Sequence, residues 1–293
     1  MTKEPMLWPN YGAPSPSGHV WMRRDVEAST DSLVSAMRAI QLPSDTLDAA
    51  LDNMRNALCV TGVVSGKLCA GKDVIAGLVS DDLTSRGLAN GVVHMTSTPI
   101  REELAEVATA VSECSNVAEA NRSVNLIFGF PEVATAHLVD ELFPLTRDGI
   151  PDVSQRTDQI RHLLIFLADD GRRATDPTYW VRKFFSNVLT TLADGKSAFL
   201  TGARYPNEIG PSQSLGLSTT RLVVTRKVQE ERLKGRDGLE PNPALLDSES
   251  ECALDYYEDF NLAVGNDNEA GPTKEVILDS LSKHADHMSD SLR

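Results

Sequence analysis

The chain has 293 residues, of which 41% are apolar and 24% are charged, a composition that excludes the fibrous and wholly disordered classes. Its formal net charge of -14 argues against a nucleic-acid polymer as the main partner, because such binding depends on Lys and Arg side chains that neutralise phosphates. No run approaches the roughly 18 uncharged apolar residues of a membrane span, so we expect a cytoplasmic protein without a membrane partner.

Residues 1–57 predict an N-terminal arm followed by a helical extension. The arm is rich in Pro, Gly and Ser, and two amphipathic helical patterns follow it, over Val26–Ile40 and Ser44–Ala57. These two helices could cover the main domain or join subunits into a homo-oligomer. The sequence leaves both alternatives open.

Strands and helices alternate over the rest of the chain. A short apolar strand, Leu58–Val64, is followed by a glycine-rich turn and then by a helix whose apolar side carries Val74, Ile75, Leu78, Val79 and Leu83. Further strands are predicted at Val92–Met95, Ala198–Thr201, Arg221–Thr225 and Leu262–Val264. Helices are predicted at Thr98–Val111, Thr178–Leu192 and Thr273–His284, and 116–168 is mostly helical, with an unassigned apolar run at Val124–Phe130. Strands separated by helices predict an α/β fold with a parallel sheet.

The most informative motif is the glycine loop, Gly66–Asp73, which lies between the first predicted strand and its helix. It reads GKLCAGKD and has the GxxxxGK spacing of loops that bind nucleotide phosphates. Glycines let successive N–H groups point inward, the helix offers its positive N-terminal end, and Lys72 can reach the β and γ phosphates. A chance glycine turn is the alternative, but the flanking strand and helix make it rarer. The loop predicts an ATP site formed by Gly66, Lys67, Ala70, Gly71, Lys72, Asp73 and Val74.

The eighth position of the loop bears on metal binding. It is normally Ser or Thr, whose hydroxyl binds Mg²⁺, but here it is Asp73. A carboxylate beside triphosphate oxygens would be repelled unless a metal or nearby cations offset its charge. Asp73 therefore either binds Mg²⁺ directly or orients one of its waters. The alternative is an acidic residue favoured only by the helix dipole.

Arginines follow the later strands. Arg204 comes where a predicted strand runs out into a loop, and ligands of open α/β sheets bind beyond the carboxyl ends of the strands. Glu208 either braces this arginine or contacts the nucleotide, and a simple surface ion pair is the alternative. After the next strand, a basic segment precedes the Gly- and Pro-rich stretch 238–243 and contains Arg226, Lys227, Arg232, Lys234 and Arg236. It could form a flexible cationic lid over a phosphoryl-transfer site or the solvated face of a helix.

Four segments taken together resemble the deoxynucleoside monophosphate kinases of tailed bacteriophages: GKLCAGKD, RHLLIFLADDGRRATDPTYWVRKFF, TGARYPNE and SECALDYYEDFNLAVGNDN. The resemblance covers about residues 58–283. It implies a P-loop NTPase three-layer fold, with a parallel sheet, a helical acceptor-binding insertion and a lid, after an N-terminal helical extension. The kinase domain would be 58–293, its acceptor-binding region about 96–180 and its lid about 226–245. A phage-encoded kinase would act in the host cytoplasm.

The resemblance also implies roles for individual residues. ATP and Mg²⁺ would be the cofactors, and small-molecule nucleotides the partners. The residues implied to act in catalysis are Lys72, Arg204, Arg232 and Arg236. The residues implied to bind or support the acceptor are Thr96, Ser97, Arg101, Arg161, Arg173, Asp176, Trp180 and Glu208.

One position departs from the family pattern. The family usually has Asp two residues before the arginine of TGARYPNE, whereas this chain has Gly202. Asp176 or Asp73 could compensate for the missing carboxylate. The expected reaction is in-line attack by a nucleoside monophosphate on the γ-phosphorus of ATP, which gives ADP and a diphosphate. A P-loop kinase of another small phosphorylated metabolite, or a non-catalytic nucleotide-binding regulatory or assembly protein, remains the alternative.

Overall fold

A computed structural model of the chain describes residues 44–55, 62–86, 91–155, 157–214, 217–237, 243–255, 257–267 and 270–291. The chain divides into two compact units. Unit 1 contains the described residues up to Met95 and those from Phe185 onward, and unit 2 is Thr96–Phe184. The first predicted helix, Val26–Ile40, lies outside the described residues.

The sheet belongs to unit 1 and confirms the α/β prediction. Its strands are β1 Gly62–Gly66, β2 Gly91–Met95, β3 Ser197–Thr201, β4 Ser218–Val223 and β5 Leu262–Gly265. Neighbouring strands are parallel throughout, and their order across the sheet is β2-β3-β1-β4-β5. Each of them matches a strand predicted from the sequence, with bounds that differ by a few residues. Every residue of β1 and β3 is buried, as in a parallel sheet whose faces are both covered.

The described residues form twelve α-helices. In chain order they are α1 Ser44–Arg55, α2 Lys72–Ser85, α3 Thr98–Ser112, α4 Val117–Phe128, α5 Glu132–Leu145, α6 Asp158–Phe166, α7 Tyr179–Ala193, α8 Pro206–Ser214, α9 Arg226–Asp237, α10 Pro243–Leu246, α11 Glu249–Cys252 and α12 Ala270–Ser291. A 3-10 turn at Thr146–Asp148 and a π-helical segment at Leu167–Arg173 add to them. No helix in these parts of the chain has both the length and the apolar character needed to cross a membrane.

The core of unit 1 lies between the sheet and two helices. Val64 and Leu222 of the sheet pack with Ile75 and Val79 of α2 and with Ile277 of α12. The buried face of α2 is narrower than the sequence predicts, because Val74 is 61% exposed and Leu78 is also exposed. These two side chains occupy a neighbouring stripe of the helix, one residue before the stripe that faces the core.

The topology distinguishes one edge of the sheet from the other. Because all strands are parallel, their carboxyl ends lie at the same edge. From β1 the chain proceeds to β2 on one side of the sheet, whereas from β4 it proceeds to β5 on the other side. Open α/β sheets bind ligands at such a reversal of direction, beyond the carboxyl ends. The register sets Gly66 opposite Leu222, so the glycine loop begins at this point.

Unit 2 is helical. Its core contains Leu104 and Val107 of α3, Leu138 and Leu142 of α5, and Leu163 of α6. The apolar run Val124–Phe130, which the sequence leaves unassigned, is the end of α4 and the turn after it. The helix ends there because Gly129 adopts a left-handed conformation with φ of 63°, which glycine adopts without strain.

Helix α8 is the main element that the sequence does not predict. The segment is expected to be a loop, since it contains Pro206, Gly210 and Pro211, all poor helix formers. Pro206 is tolerated because it occupies the first helical position, where its missing N–H has no helical partner in any case. The carboxylate of Glu208 accepts hydrogen bonds from the backbone N–H groups of Arg204 and Tyr205, which stabilises this helix start.

Candidate functional site

The glycine loop connects β1 to α2 by a tight path that depends on its glycines. A Cβ atom at Gly66 would lie 2.9 Å from the Cβ of Ala70 and 3.1 Å from the carbonyl oxygen of Leu222. Gly71 has φ of 87°, and Cys69 also has a positive φ of 60°. The N–H of Ala70 donates to the carbonyl of Lys67 at 3.0 Å and closes the turn. Glycine at these positions is therefore a requirement of the loop geometry.

Asn266, directly after β5, supports the loop from the side. Its Nδ2 donates to the carbonyl of Ala70 at 2.8 Å, and its backbone N–H donates to the carbonyl of Val223 at 2.8 Å. Its Oδ1 accepts from the hydroxyl of Thr273 at 2.9 Å. A Cβ at Gly71 would lie 2.7 Å from the same Nδ2. The loop and the end of β5 are thus fitted to each other closely.

Lys72, the first residue of α2, is a buried cation. It is 9% exposed, and its pKa falls from 10.5 to about 8, first because of burial and then because of the nearby charge of Arg204. The charges of Asp73 and Glu251 act in the opposite direction. A desolvated ammonium group beside another cation is stabilised by an anion. Its position at the helix N-terminus adds the positive end of the helix dipole.

Two carboxylates of the segment 249–255, which we call the acidic segment, bind the cations around the loop. Glu251 is buried, and its carboxylate accepts from the guanidinium of Arg204 and from the backbone N–H of Leu68. Asp255 accepts from Nζ of Lys67 at 2.5 Å and from Arg221 at 3.2 Å. The acidic segment thereby joins the glycine loop to the ends of β3 and β4.

Arg221 and Arg232 add to the positive charge. Arg221 lies in β4 and is buried, which lowers its pKa, and its Nη1 donates to the hydroxyl of Ser65 at 3.0 Å. Arg232 of α9 donates to the carbonyl of Cys69 at 3.3 Å and to that of Asn266 at 2.7 Å. The predicted lid arginine therefore contacts the glycine loop itself. Arg236 is exposed on the same helix.

The predicted catalytic residues Lys72, Arg204 and Arg232 are thus gathered around one loop. Together with Lys67 and Arg221 they are five cations, whereas the acidic segment supplies two of the carboxylates that bind them. Asp73 and Glu208 also lie here, so the five cations face four carboxylates, a concentration of cations in a protein with a net charge of -14. It suits a ligand with several negative charges at the carboxyl edge of the sheet.

Asp73 and Gly202 concern the expected metal. Asp73 is exposed in the first turn of α2, where a carboxylate is free to reach a metal held on phosphates. Among the described residues, no three His, Cys, Asp or Glu side chains form a cluster that could hold a metal by themselves. Mg²⁺ usually takes one or two protein carboxylates and completes its shell with phosphates and water, so a single exposed carboxylate such as Asp73 would fit it. Gly202 has φ of 88°, so an Asp at this position would be strained.

The predicted acceptor residues of unit 2 have local partners. Thr96 and Ser97 precede α3, and Arg101 of that helix donates to the carbonyl of Val153. The ion pairs of the others are Arg161 with Asp158, Arg173 with Asp169 and Asp176 with Arg182. Trp180 is buried in the core, and its indole N–H donates to the carbonyl of Ala168 at 3.0 Å. Trp180 therefore supports the fold of unit 2.

The sequence does not predict a buried charge cluster in unit 2. The carboxylate of Glu103, whose side chain is 1% exposed, accepts from Arg172, from the hydroxyl of Tyr179 and from Nζ of Lys183, each at 2.6 Å. Burial, followed by the bond to Glu103, raises the pKa of Tyr179. The cluster joins α3, the π-helical segment and α7. In a helical pattern Glu103 looks solvent-facing, so no sequence signal reveals it.

The sequence does not predict the contacts of Glu251, Asp255 and Asn266 with the glycine loop either. They lie more than 180 residues from the loop in sequence. The one available signal was the segment SECALDYYEDFNLAVGNDN, which contributed to the resemblance without roles for its side chains. Glu251 and Asp255 are four positions apart in the chain, the spacing of side chains on one face of a helical turn.

Comparison with known proteins does not assign this site to a family. No protein-family model matches the chain, and no curated protein is significantly similar to it. The resemblance to phage deoxynucleoside monophosphate kinases therefore stays a prediction from four sequence segments. What the chain itself supplies is a five-stranded parallel α/β sheet with a cationic glycine loop at its carboxyl edge.

Proposed function

We propose that unit 1 binds ATP on the glycine loop and transfers its γ-phosphoryl group to a nucleoside monophosphate, with deoxynucleotides as the first candidates. The observation that carries the proposal is that Lys72 is buried at the start of α2. It directly follows a loop whose backbone requires glycine at Gly66 and Gly71. A loop of this spacing between a parallel strand and a helix is the recurring phosphate site of P-loop proteins.

The side chains around the loop suit phosphoryl transfer. This reaction needs little covalent chemistry from the protein, which mainly positions two anionic ligands and offsets their charge. Lys72 would hold the β and γ phosphates, together with backbone N–H groups at the start of α2. Arg204 and Arg232 would meet the charge that develops on the transferring group. A phosphate oxygen of the acceptor is already nucleophilic at neutral pH, so no general base is assigned.

Mg²⁺ would supply further charge compensation for the phosphates of ATP. Asp73 is the side chain proposed to hold it or to orient one of its waters, because it is exposed in the first turn of the helix that Lys72 begins. Lys72 and Arg204 would keep their roles whichever of these two contacts Asp73 makes.

The nature of the acceptor rests on the resemblance. It implies that the region 96–180 binds a nucleoside monophosphate, and this region lies within unit 2. Arg101, Arg161 and Arg173 are the side chains that the resemblance assigns to the acceptor region. A kinase of another phosphorylated metabolite would use the same loop with a different acceptor region.

A non-catalytic nucleotide-binding protein is the second candidate, and Gly202 favours it. The family pattern has a carboxylate at this position, whereas the left-handed backbone of Gly202 suits glycine. A protein that binds ATP for regulation or assembly would not need the missing carboxylate.

Turnover separates these candidates. The purified protein would be incubated with ATP, Mg²⁺ and each common deoxynucleoside or ribonucleoside monophosphate in turn, and ADP and the matching diphosphate would be quantified. The proposal expects stoichiometric formation of both products with at least one monophosphate and none with the Lys72→Met variant. ATP binding without conversion of any monophosphate would reject the nucleotide kinase and favour the other candidates.

A further inference from the structure

Glu251 lies outside the glycine loop and outside β3, yet its carboxylate contacts both regions. Its Oε2 accepts from the backbone N–H of Leu68 at 2.6 Å, and its Oε1 accepts from Nη1 of Arg204. The side chain is 5% exposed, so both bonds form away from water. Hydrogen bonds with an ionised partner are stronger than neutral ones, and burial strengthens them further.

The position of Arg204 would be unfavourable without this carboxylate. Burial first, and then the charge of Arg204, lower the pKa of Lys72, and Arg204 also acts to lower that of Arg221. The guanidinium is thus close enough to two other cations to be repelled by both. Its side chain is 21% exposed, which leaves a route into solvent. A buried anion offsets this repulsion.

The backbone of Arg204 is fixed by a second carboxylate. Glu208 accepts from the N–H of Arg204 at 2.6 Å and from that of Tyr205 at 3.3 Å. Glu208 therefore fixes the turn after β3, whereas Glu251 fixes the direction of the guanidinium. Glu208 thus holds the main chain of Arg204, and Glu251 holds its side chain.

We propose that Glu251 is a positioning residue that holds the guanidinium of Arg204 against the glycine loop, where it meets the phosphoryl group. This inference rests on the proposed function for the role of Arg204 and on the structure for its placement. This role would account for the contact between the acidic segment and the glycine loop, which lie far apart in sequence. Asp255, which binds Lys67 and Arg221, is a matched carboxylate without a bond to Arg204 among the described contacts.

The placement of Arg204 can be measured whether or not the protein is a kinase. The nucleotide-free full chain, its Glu251→Gln variant and its Asp255→Asn variant would be treated with phenylglyoxal, and modification of Arg204 would be followed by peptide mass spectrometry. Loss of a charged hydrogen bond corresponds to about a 10- to 100-fold change in equilibrium. We expect Arg204 to react about tenfold faster in Glu251→Gln and at the wild-type rate in Asp255→Asn. Equal rates in wild type and Glu251→Gln would overturn the inference.

Kinetics then test the consequence for transfer. In the kinase, Glu251→Gln should lower kcat about 10- to 100-fold with little change in KM for ATP, and it should have no further effect when Arg204→Ala is already present. The effect of Asp255→Asn should be the same in both backgrounds. Equal losses for Glu251→Gln with and without Arg204 would show that it acts through the fold and would refute the positioning role. Absence of turnover in wild type would instead refute the proposed function, and the labelling result would still decide the placement.

Thermal unfolding of each variant serves as the control for folding. Glu251→Gln preserves the size of the side chain but removes one charge of a buried ion pair, so a cooperative melting transition at a lower temperature is expected. If Glu251→Gln fails to fold, Glu251→Asp keeps the charge but shortens the side chain. The inference then expects faster labelling of Arg204 in Glu251→Asp, and an unchanged rate would count against it.

Discussion

Replacement of Lys72 by Met is expected to stabilise the nucleotide-free protein while it abolishes ATP binding. Met has a similar length, is unbranched and carries no charge, so it can fill the space of the lysine stem. Lys72 is 9% exposed, and its pKa lies at about 8 instead of 10.5. At 1.36 kcal/mol per pKa unit, keeping this group charged costs the folded protein about 3 kcal/mol.

The sign of this effect follows from proton binding. Because the pKa of Lys72 is lowered on folding, the unfolded chain binds more protons between about pH 8 and 10.5. The cost is therefore fully present below about pH 8 and disappears as the pH rises toward 10.5. The stability advantage of Lys72→Met should be about 3 kcal/mol at pH 7 and about 1 kcal/mol at pH 9.5.

Urea unfolding followed by circular dichroism at these two pH values measures the effect. Lys227→Met is the matched control, because the Lys227 side chain is 84% exposed and should contribute little at either pH. The assignment of Lys72 as a destabilising buried cation would be refuted by a Lys72→Met variant that is less stable than wild type. It would also be refuted if the stability difference between the two proteins did not change with pH.

Three further substitutions test separate parts of the account. Gly71→Ala should abolish ATP binding in calorimetry, because its Cβ would lie 2.7 Å from Nδ2 of Asn266. Gly129→Ala is the control, since Gly129 has a similar positive φ but open space around it. This variant should lose only about 1 kcal/mol of stability to backbone strain and should keep its affinity for ATP. Glu103→Gln should lower the free energy of unfolding by about 3 kcal/mol in urea titrations, without a change in the Kd for ATP, since it breaks the buried cluster of unit 2. Arg232→Ala should weaken ATP binding about tenfold in calorimetry, because a charged contact at the glycine loop is lost, and an unchanged Kd would remove Arg232 from the site.

Local patterns in the sequence predicted most of the sheet of unit 1. Short apolar runs between turns and helical patterns predict all five strands. They do so because a strand buried in a parallel sheet is itself a short run of apolar residues. The glycine loop was found for the same reason, because its geometry depends on residues next to one another in the chain. The sequence does not predict helix α8, because Pro206 and Pro211 are typical of a loop. The helix forms nevertheless, and Glu208 stabilises its start.

The surroundings of the loop could not be predicted in the same way. Glu251 and Asn266 reach the loop only after the sheet has brought β5 and the acidic segment beside it. No local pattern reports which carboxylate pairs with Arg204, because the pairing depends on distances set by the whole fold. The roles predicted for Lys72 and Arg204 depend only on their positions after a strand, so the sequence can suggest these two residues but not the side chains that contact them.

Binding of ATP to the wild-type protein and to Lys72→Met, measured by isothermal titration calorimetry with and without Mg²⁺, tests the central claim most directly. The account predicts saturable binding of one ATP per chain by the wild type, strengthened by Mg²⁺, and no measurable binding by a Lys72→Met variant that remains folded. Failure of the wild type to bind ATP, or equal affinity in the two proteins, would contradict the assignment of Gly66–Asp73 as a phosphate-binding loop.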